Sequence, residues 1–206
     1  MNHEIYIFGS VARGEVSSTS DVDVLVIPRG PGPQESYPAA WSVYSTTTVE
    51  SYYRQGRLFA WHLHLEAKCV FAPGGANFLD SIGPPAPYTT YREDISDLEA
   101  IMGEALAQIR NGTNSLIYEL GLVHTAIRDI AMSASWRMLA APNFSREVPF
   151  MLPLACPLSK DVYQAAMLAR HNSTRGAEVR IDAEAAAKAV LAAPLIRWVD
   201  NIRRLL

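Results

Sequence analysis

The chain has little sulfur chemistry to offer: 2 cysteines in 206 residues, Cys69 and Cys156. Two thiols this far apart make neither a disulfide framework nor a metal-ligand spacing, which excludes a stapled mini-fold and a zinc ribbon. Both are expected to be buried, reduced thiols of a cytosolic protein. No apolar run approaches the ~18 residues of a membrane span, and Met1 leads almost at once into an apolar strand rather than a leader segment. Charge of one sign is also scarce. The net charge is −3, with 9 Lys+Arg against 15 Asp+Glu in residues 1–141 and 9 against 6 in residues 142–206. A surface that tracks long nucleic acid declares itself by a basic excess, so no strong electrostatic case exists for such a partner. Internal repeats are lacking too, and the Ala-rich run 183–193 is simply helix-favouring. What is present is apolar material, 49% of residues, enough for the core of one medium domain or two small ones.

The informative stretch is Phe8-Gly9-Ser10-Val11-Ala12-Arg13-Gly14-Glu15, followed by Ser20-Asp21-Val22-Asp23-Val24-Leu25-Val26-Ile27. The first block places a Gly-Ser pair at the end of a short apolar strand, residues 5–8. Gly9 lets a phosphate approach the backbone, and Ser10 can donate a hydrogen bond at the start of the helix that follows, residues 10–15. The second block opens a strand over residues 22–27 with two carboxylates. Residues i and i+2 of a strand share a face, so Asp21 and Asp23 look one way and Val22, Val24 and Val26 the other. Two like charges side by side repel unless a cation sits between them, which makes the pair a cradle for a divalent metal. A phosphate grip beside a metal cradle is equipment for phosphoryl or nucleotidyl transfer.

These residues resemble the signature of the DNA polymerase β-like nucleotidyltransferase superfamily: Gly-Ser, a short helix carrying Ala-Arg-Gly, then Ser-Asp-x-Asp opening a strand. The nearest likeness is to small stand-alone bacterial and archaeal members and to aminoglycoside nucleotidyltransferases. The motif covers residues 5–27, and a weaker likeness runs to about residue 72. The resemblance implies an NTP as substrate and Mg²⁺ (or Mn²⁺) held by Asp21 and Asp23. It further implies β and γ phosphates held by Gly9 and Ser10, with Arg13 beside them, and an acceptor bound by a C-terminal helical domain across a cleft.

The rest of the chain reads as follows. Residues 41–45 are strand-favouring, residues 47–55 form a short helix stopped by Gly56, and residues 62–70 alternate and predict a strand. That strand puts His62, His64 and Glu66 on one face. Pro- and Gly-rich runs at 73–75 and 83–87 close the first domain. Thr90-x-x-Glu93 is a capping box for a long helix that stops at Asn111-Gly112. A second long helix spans residues 115–140, a Pro-punctuated loop 142–158, a third helix capped by Ser159 ends near His171, and a fourth capped by Asp182 meets Pro194 before Leu206. The expected fold is α+β: a small mixed sheet in residues 1–86, then an α-helical bundle in residues 90–206.

One departure stands out. The family brings a third carboxylate on the next strand, and Ser42 occupies that position here. Three readings stay open: Glu66 supplies the carboxylate as metal ligand or general base, the site works with two carboxylates, or Glu50 reaches in from the short helix. Candidates for the acceptor side are His62, His64, Arg128 and Arg170, with His124, Asp129, Arg146, His171 and Arg175 nearby in sequence or cluster. The sequence therefore predicts a cytoplasmic, metal-dependent nucleotidyltransferase acting on a small molecule, a protein or an RNA end. The alternative is a catalytically weak, nucleotide-binding regulatory or antitoxin-type module that acts through a protein partner. A homodimer is compatible with either.

Overall fold

β1 (His3–Phe8) is made of β-branched and aromatic residues interrupted by a charge, His-Glu-Ile-Tyr-Ile-Phe. In the computed structural model, which describes residues 2–16, 22–30, 37–175 and 180–206, this strand is the centre of the first unit. It pairs antiparallel with β2 (Asp23–Pro28), in a register that sets Tyr6 against Leu25 and Phe8 against Asp23. Beyond β2 lies the two-residue β3 (Ser42–Val43), parallel to it, and on the other side of β1 lies β4 (Lys68–Phe71), antiparallel. The order β3-β2-β1-β4 is a small mixed sheet, as expected.

The helices of this unit cover one face of the sheet. α1 (Gly9–Arg13) turns directly out of β1. α2 (Thr46–Arg54) is capped by Ser45, whose Oγ accepts from the Thr48 N–H at 3.1 Å. α3 (Leu58–Glu66) and α4 (Phe78–Ile82) follow, the latter capped by Asn77. Tyr6, Phe8, Leu25 and Ile27 of the sheet pack with Val49, Tyr53, Ala60, Leu63, Phe78 and Leu79 of these helices. Burying side chains of this size stabilises the unit by roughly 1.5–3 kcal/mol each. Gly56 has φ +61, and a Cβ there would meet the Pro87 carbonyl oxygen at 2.4 Å. The Pro-rich segment is thus strapped onto the α2–α3 turn, with Ala86 N–H donating to the Tyr53 carbonyl and the Trp61 indole to the Ala86 carbonyl, 2.8 and 2.9 Å.

Two expectations are corrected. Of the strand expected over residues 62–70, residues 62–66 belong to the helix α3, and residues 68–70 are strand, within β4. The His-Leu-His-Leu alternation is short, whereas Phe59 with Leu63 and His62 with Glu66 are four apart, the spacing a helix uses to bury one face and pair polar groups on the other. Cys69, expected to be buried, is exposed on the edge strand β4, while Cys156 is buried and its thiol is pushed up to about 11 by that burial.

Residues Met1–Thr90 form one compact unit and Tyr91–Leu206 a second. The second is helical: α5 (Tyr91–Arg110), α6 (Leu116–Met138), the short α7 (Val148–Met151), α8 (Lys160–Arg175), α9 (Ala183–Ala192) and α10 (Leu195–Leu205). Gly112, at φ +77, lets α5 stop where the sequence reading stops it. The caps at Ser159 and Asp182 form as well: Ser159 Oγ accepts from Val162 N–H at 3.3 Å, and Asp182 Oδ1 from Ala185 N–H at 2.9 Å. Pro194 separates α9 from α10, as its lost N–H requires.

The first unit is built around a buried charge. Glu4 has 0% of its surface exposed. One carboxylate oxygen accepts from the Arg29 guanidinium, with Nε at 2.7 Å, and the other from the Phe78 backbone N–H at 2.8 Å and from the Tyr6 hydroxyl. Every lone pair is used, which is the condition under which a buried carboxylate is tolerated. Glu4→Ala strands the Tyr6 hydroxyl and the Phe78 N–H, and is expected to destabilise the first unit by about 3–5 kcal/mol, read as a lowered urea midpoint with loss of amide protection in β1.

Candidate functional site

The end of β1 fixes the site. Phe8 and Asp23 are register partners, and Asp23, Leu25 and Ile27 share a face of β2, so Asp23 continues the covered face at its rim. Gly9, the next residue, has φ +70, a conformation that costs a side chain about 1–2 kcal/mol. A Cβ at Gly9 would stand 2.3 Å from Asp23 Oδ2 and 3.3 Å from its Cγ. The Asp23 carboxylate therefore occupies the space that only glycine leaves open.

α1 starts at this point with Gly9 and Ser10, and ends after Arg13, where the Gly14 N–H returns to the Ser10 and Val11 carbonyls. The first N–H groups of a helix have no acceptor within it, so the Gly9–Ser10 turn presents backbone donors beside Asp23. Arg13, one turn along, is held from two sides. Its Nη1 donates to Glu66 Oε2 at 2.5 Å, and its Nε to Glu15 Oε2 at 2.9 Å. Glu66 Oε2 also lies 2.9 Å from His62 Nε2 on the same helix, and the His62 ring meets Phe8 edge-on at 5.4 Å. Lys68 Nζ donates to the Ala12 carbonyl at 2.6 Å, closing the last turn of α1. The last turn of α3 and the first residue of β4 thus grip the helix that carries Gly9 and Ser10.

The structure sorts the candidate residues. Gly9, Ser10, Arg13 and Asp23 come together, and Glu66 and His62 join them through Arg13. Asp21 lies outside the described residues. His64 does not join His62: two residues apart on a helix points them to opposite sides, and the His64 ring faces Trp61 and Tyr53 at 5.7 and 6.5 Å. Ser42 lies on β3 beside Leu25, two residues along from Asp23, so the strand expected to bring a third carboxylate is in place and carries a hydroxyl. Glu50 is exposed on α2. Among the described residues no group of three or more His, Cys, Asp or Glu side chains could hold a metal ion.

Arg128 and Arg170 belong to the second unit, on α6 and α8. Arg128 Nε donates to Asp129 at 2.8 Å, and the Arg170 backbone packs on Gly121, where a Cβ would meet its Cα at 2.9 Å. His124, one turn before Arg128, is 2% exposed, lies 4.8 Å from the Tyr163 ring, and has no hydrogen-bond partner at either ring nitrogen. Burial first, and then the positive charges of Arg128, Arg170, His171 and Arg146, hold it well below the ordinary histidine value.

Two outcomes follow. Gly9→Ala keeps the fold at a cost of about 1–2 kcal/mol but displaces the Asp23 carboxylate, and an ~1 Å misplacement is expected to lower nucleotide-dependent activity about 100-fold, measured as turnover with labelled NTP. In the helical unit, native His124 binds its proton only well below pH 6.5, while the unfolded chain binds it near that value. Stability should be level above about pH 6.5 and fall by up to ~1.4 kcal/mol per pH unit below it. His124→Leu is expected to abolish that slope, measured by urea unfolding at several pH values between 5 and 8.

Comparison with known proteins adds one match and one absence. Residues 2–66 match the family model described as nucleotidyltransferase domain, a span that runs from β1 to Glu66 at the end of α3. No curated protein matches the chain. Gly9, Ser10 and Asp23 all fall within the matched span, which is consistent with a nucleotidyltransferase domain of the polymerase β-like kind over residues 2–66.

Proposed function

We propose that the first unit transfers an NMP group from an NTP to a hydroxyl-bearing acceptor and that the helical unit binds that acceptor. The observation that carries this reading is the Asp23 carboxylate seated against Gly9 inside the matched nucleotidyltransferase span. In such a reaction the acceptor oxygen attacks the α-phosphorus, the bond to the pyrophosphate oxygen breaks, and the hydroxyl proton passes to a base or to water. The chain's part is to hold the triphosphate in line and shield its charge. Gly9 and Ser10 would grip the terminal phosphates through backbone N–H groups and the Ser10 hydroxyl. Arg13 would add positive charge one turn away.

Carboxylate oxygen is the donor that Mg²⁺ or Mn²⁺ prefers, and Mg²⁺ is commonly held by only one or two carboxylates plus substrate phosphates and water. Asp23, packed on a glycine that leaves it room, fits that role, and Asp21 is its sequence partner. The metal, when bound, neutralises charge that builds on the phosphates. Glu66 has a different task in this reading. With one oxygen shared between Arg13 and His62, it fixes the guanidinium beside the phosphate grip rather than completing a metal site.

A second reading has one observation in its favour: Ser42 stands where a carboxylate is expected. In that reading the domain binds nucleotide, turns over weakly and acts through a protein partner.

The test is incubation of the protein with each α-³²P-labelled NTP and Mg²⁺, with and without lysate, followed by separation of protein, RNA and small molecules. Label is expected in one fraction with the parent protein and in none with Asp23→Asn. Bound nucleotide with no label anywhere would favour the second reading. Once an acceptor is in hand, Glu66→Gln is expected to raise KM for the NTP with kcat largely kept. A kcat loss of ~100-fold or more would instead make Glu66 a base or ligand.

A further inference from the structure

α1 carries Gly9 and Ser10, and a helix of five residues cannot by itself fix the angle at which it leaves β1. The joint is Gly9, which has no Cβ and a φ of +70. A glycine joint permits many exit angles, so the direction of α1 is set from its far end. There the capping turn returns the Gly14 N–H to the Val11 carbonyl at 3.1 Å and the Glu15 N–H to the Ser10 carbonyl at 2.9 Å. The Ala12 carbonyl is left over by that turn, as the last carbonyls of a helix are. Lys68 Nζ donates to it at 2.6 Å.

Lys68 is well placed for this task. Its backbone is the register partner of Ile7, two residues before Gly9 on β1. Both ends of α1 are therefore referred to one strand, the first by the chain itself and the second by this side chain. The bond also acts on the backbone of α1 directly, whereas Arg13 and Glu66 join through two flexible side chains. Nor does an ion pair account for Lys68. Arg13 meets Glu66 and Glu15, but among the described residues no carboxylate pairs with Lys68. An ammonium bound to a terminal carbonyl is one of the ways a helix end is closed.

We propose that Lys68 is a positioning residue for the nucleotide: tied to the Ala12 carbonyl, it holds α1 at the angle that aims Gly9 and Ser10 at a triphosphate beside Asp23. This role rests on the transfer reading given under the proposed function, and it lies outside the matched family span, which ends at residue 66. The tether acts before the ligand arrives, so its loss is felt in binding. Without it α1 samples several angles, and the apparent affinity falls by the fraction of molecules that hold the competent one. Molecules that have bound NTP have the helix in place and react at the ordinary rate.

The experiment compares the full chain with Lys68→Met and Lys68→Arg. Lys68 is exposed, and Lys68→Met keeps an unbranched apolar stem, so its urea midpoint is expected to match the parent's. Amide exchange followed by NMR without nucleotide is expected to quicken ~10-fold at Gly14 and Glu15 in Lys68→Met, and to stay unchanged in β2. Equilibrium dialysis against each α-³²P-labelled NTP with Mg²⁺ is expected to show Kd raised about 10-fold in that variant. Lys68→Arg keeps a cationic donor and should bind within ~3-fold of the parent. With an acceptor in hand, kcat at saturating NTP should stay within ~2-fold in Lys68→Met. Parent-like binding by Lys68→Met, or binding by Lys68→Arg as weak as that of Lys68→Met, would overturn the role of Lys68 and leave the transfer reading standing. So would weaker binding with unchanged exchange at Gly14 and Glu15, since α1 would not have been released. A large loss of kcat would overturn it too, because a tether that acts before binding leaves the chemical step alone. A parent protein that binds none of the NTPs would overturn the transfer reading and this role with it.

Discussion

A carboxylate and a backbone share a space too small for a methyl group at the end of β1, and the site is organised by that crowding. Asp23 Oδ2 sits where a Cβ on residue 9 would have to be. The consequence runs both ways. Residue 9 must be glycine both for its positive φ and for the approach of Asp23, and Asp23 is given its place by a strand register that sets it against Phe8. A one-residue slip of β2 would turn Asp23 to the other face of the sheet and bring Val22 or Val24 to the glycine. The hydrophobic pattern of Leu25 and Ile27 against Tyr6 and Glu4 therefore decides chemistry as well as packing. Core burial sets the register, and the register sets the carboxylate.

Around that point the fold adds a grip on α1. A five-residue helix has little stability of its own, because nucleation fixes several dihedrals for very few hydrogen bonds. Here Glu66 holds Arg13, Lys68 holds the Ala12 carbonyl and Gly14 closes the end, so α1 is ordered from outside. That arrangement suits the phosphate grip proposed for Gly9 and Ser10, whose backbone donors would have to point correctly before the ligand arrives.

What could be read from the sequence divides along physical lines. The Gly-Ser turn, β2 and the caps at Ser159 and Asp182 rest on local rules, in which a few neighbouring residues decide the conformation. α5, α6 and the helix break at Pro194 rest on long periodicity and on proline's missing donor. The α3 segment departs from the strand expectation because nine residues of largely apolar sequence satisfy a period of 2 and a period of 3.6 about equally well. Its tie-breaker was polar: His62 and Glu66 four apart, a pair that only a helix brings together. The error also grouped His62 with His64, and it hid the Arg13–Glu66 bond, whose partners are 53 positions apart. Two further features were missed for want of long-range information. The Glu4 cluster had one local hint, a charge two residues from a tyrosine on an otherwise apolar strand. The environment of His124 had only the i, i+4 spacing to Arg128; its cations come from the 146 loop and α8, which no local pattern brings to α6.

The Glu4 carboxylate reaches the amide of residue 78, across 74 positions of chain. On a growing polypeptide, the charge in the centre of the sheet has no complete set of partners until α4 has been made. At about 5–20 residues per second, that interval is on the order of 4–15 seconds, during which β1 and β2 are already available to pair. Closing the sheet over a carboxylate that still lacks a donor is costly. The buried charge therefore ties completion of the first unit's core to the arrival of α4, whose first residue supplies the last of its donors.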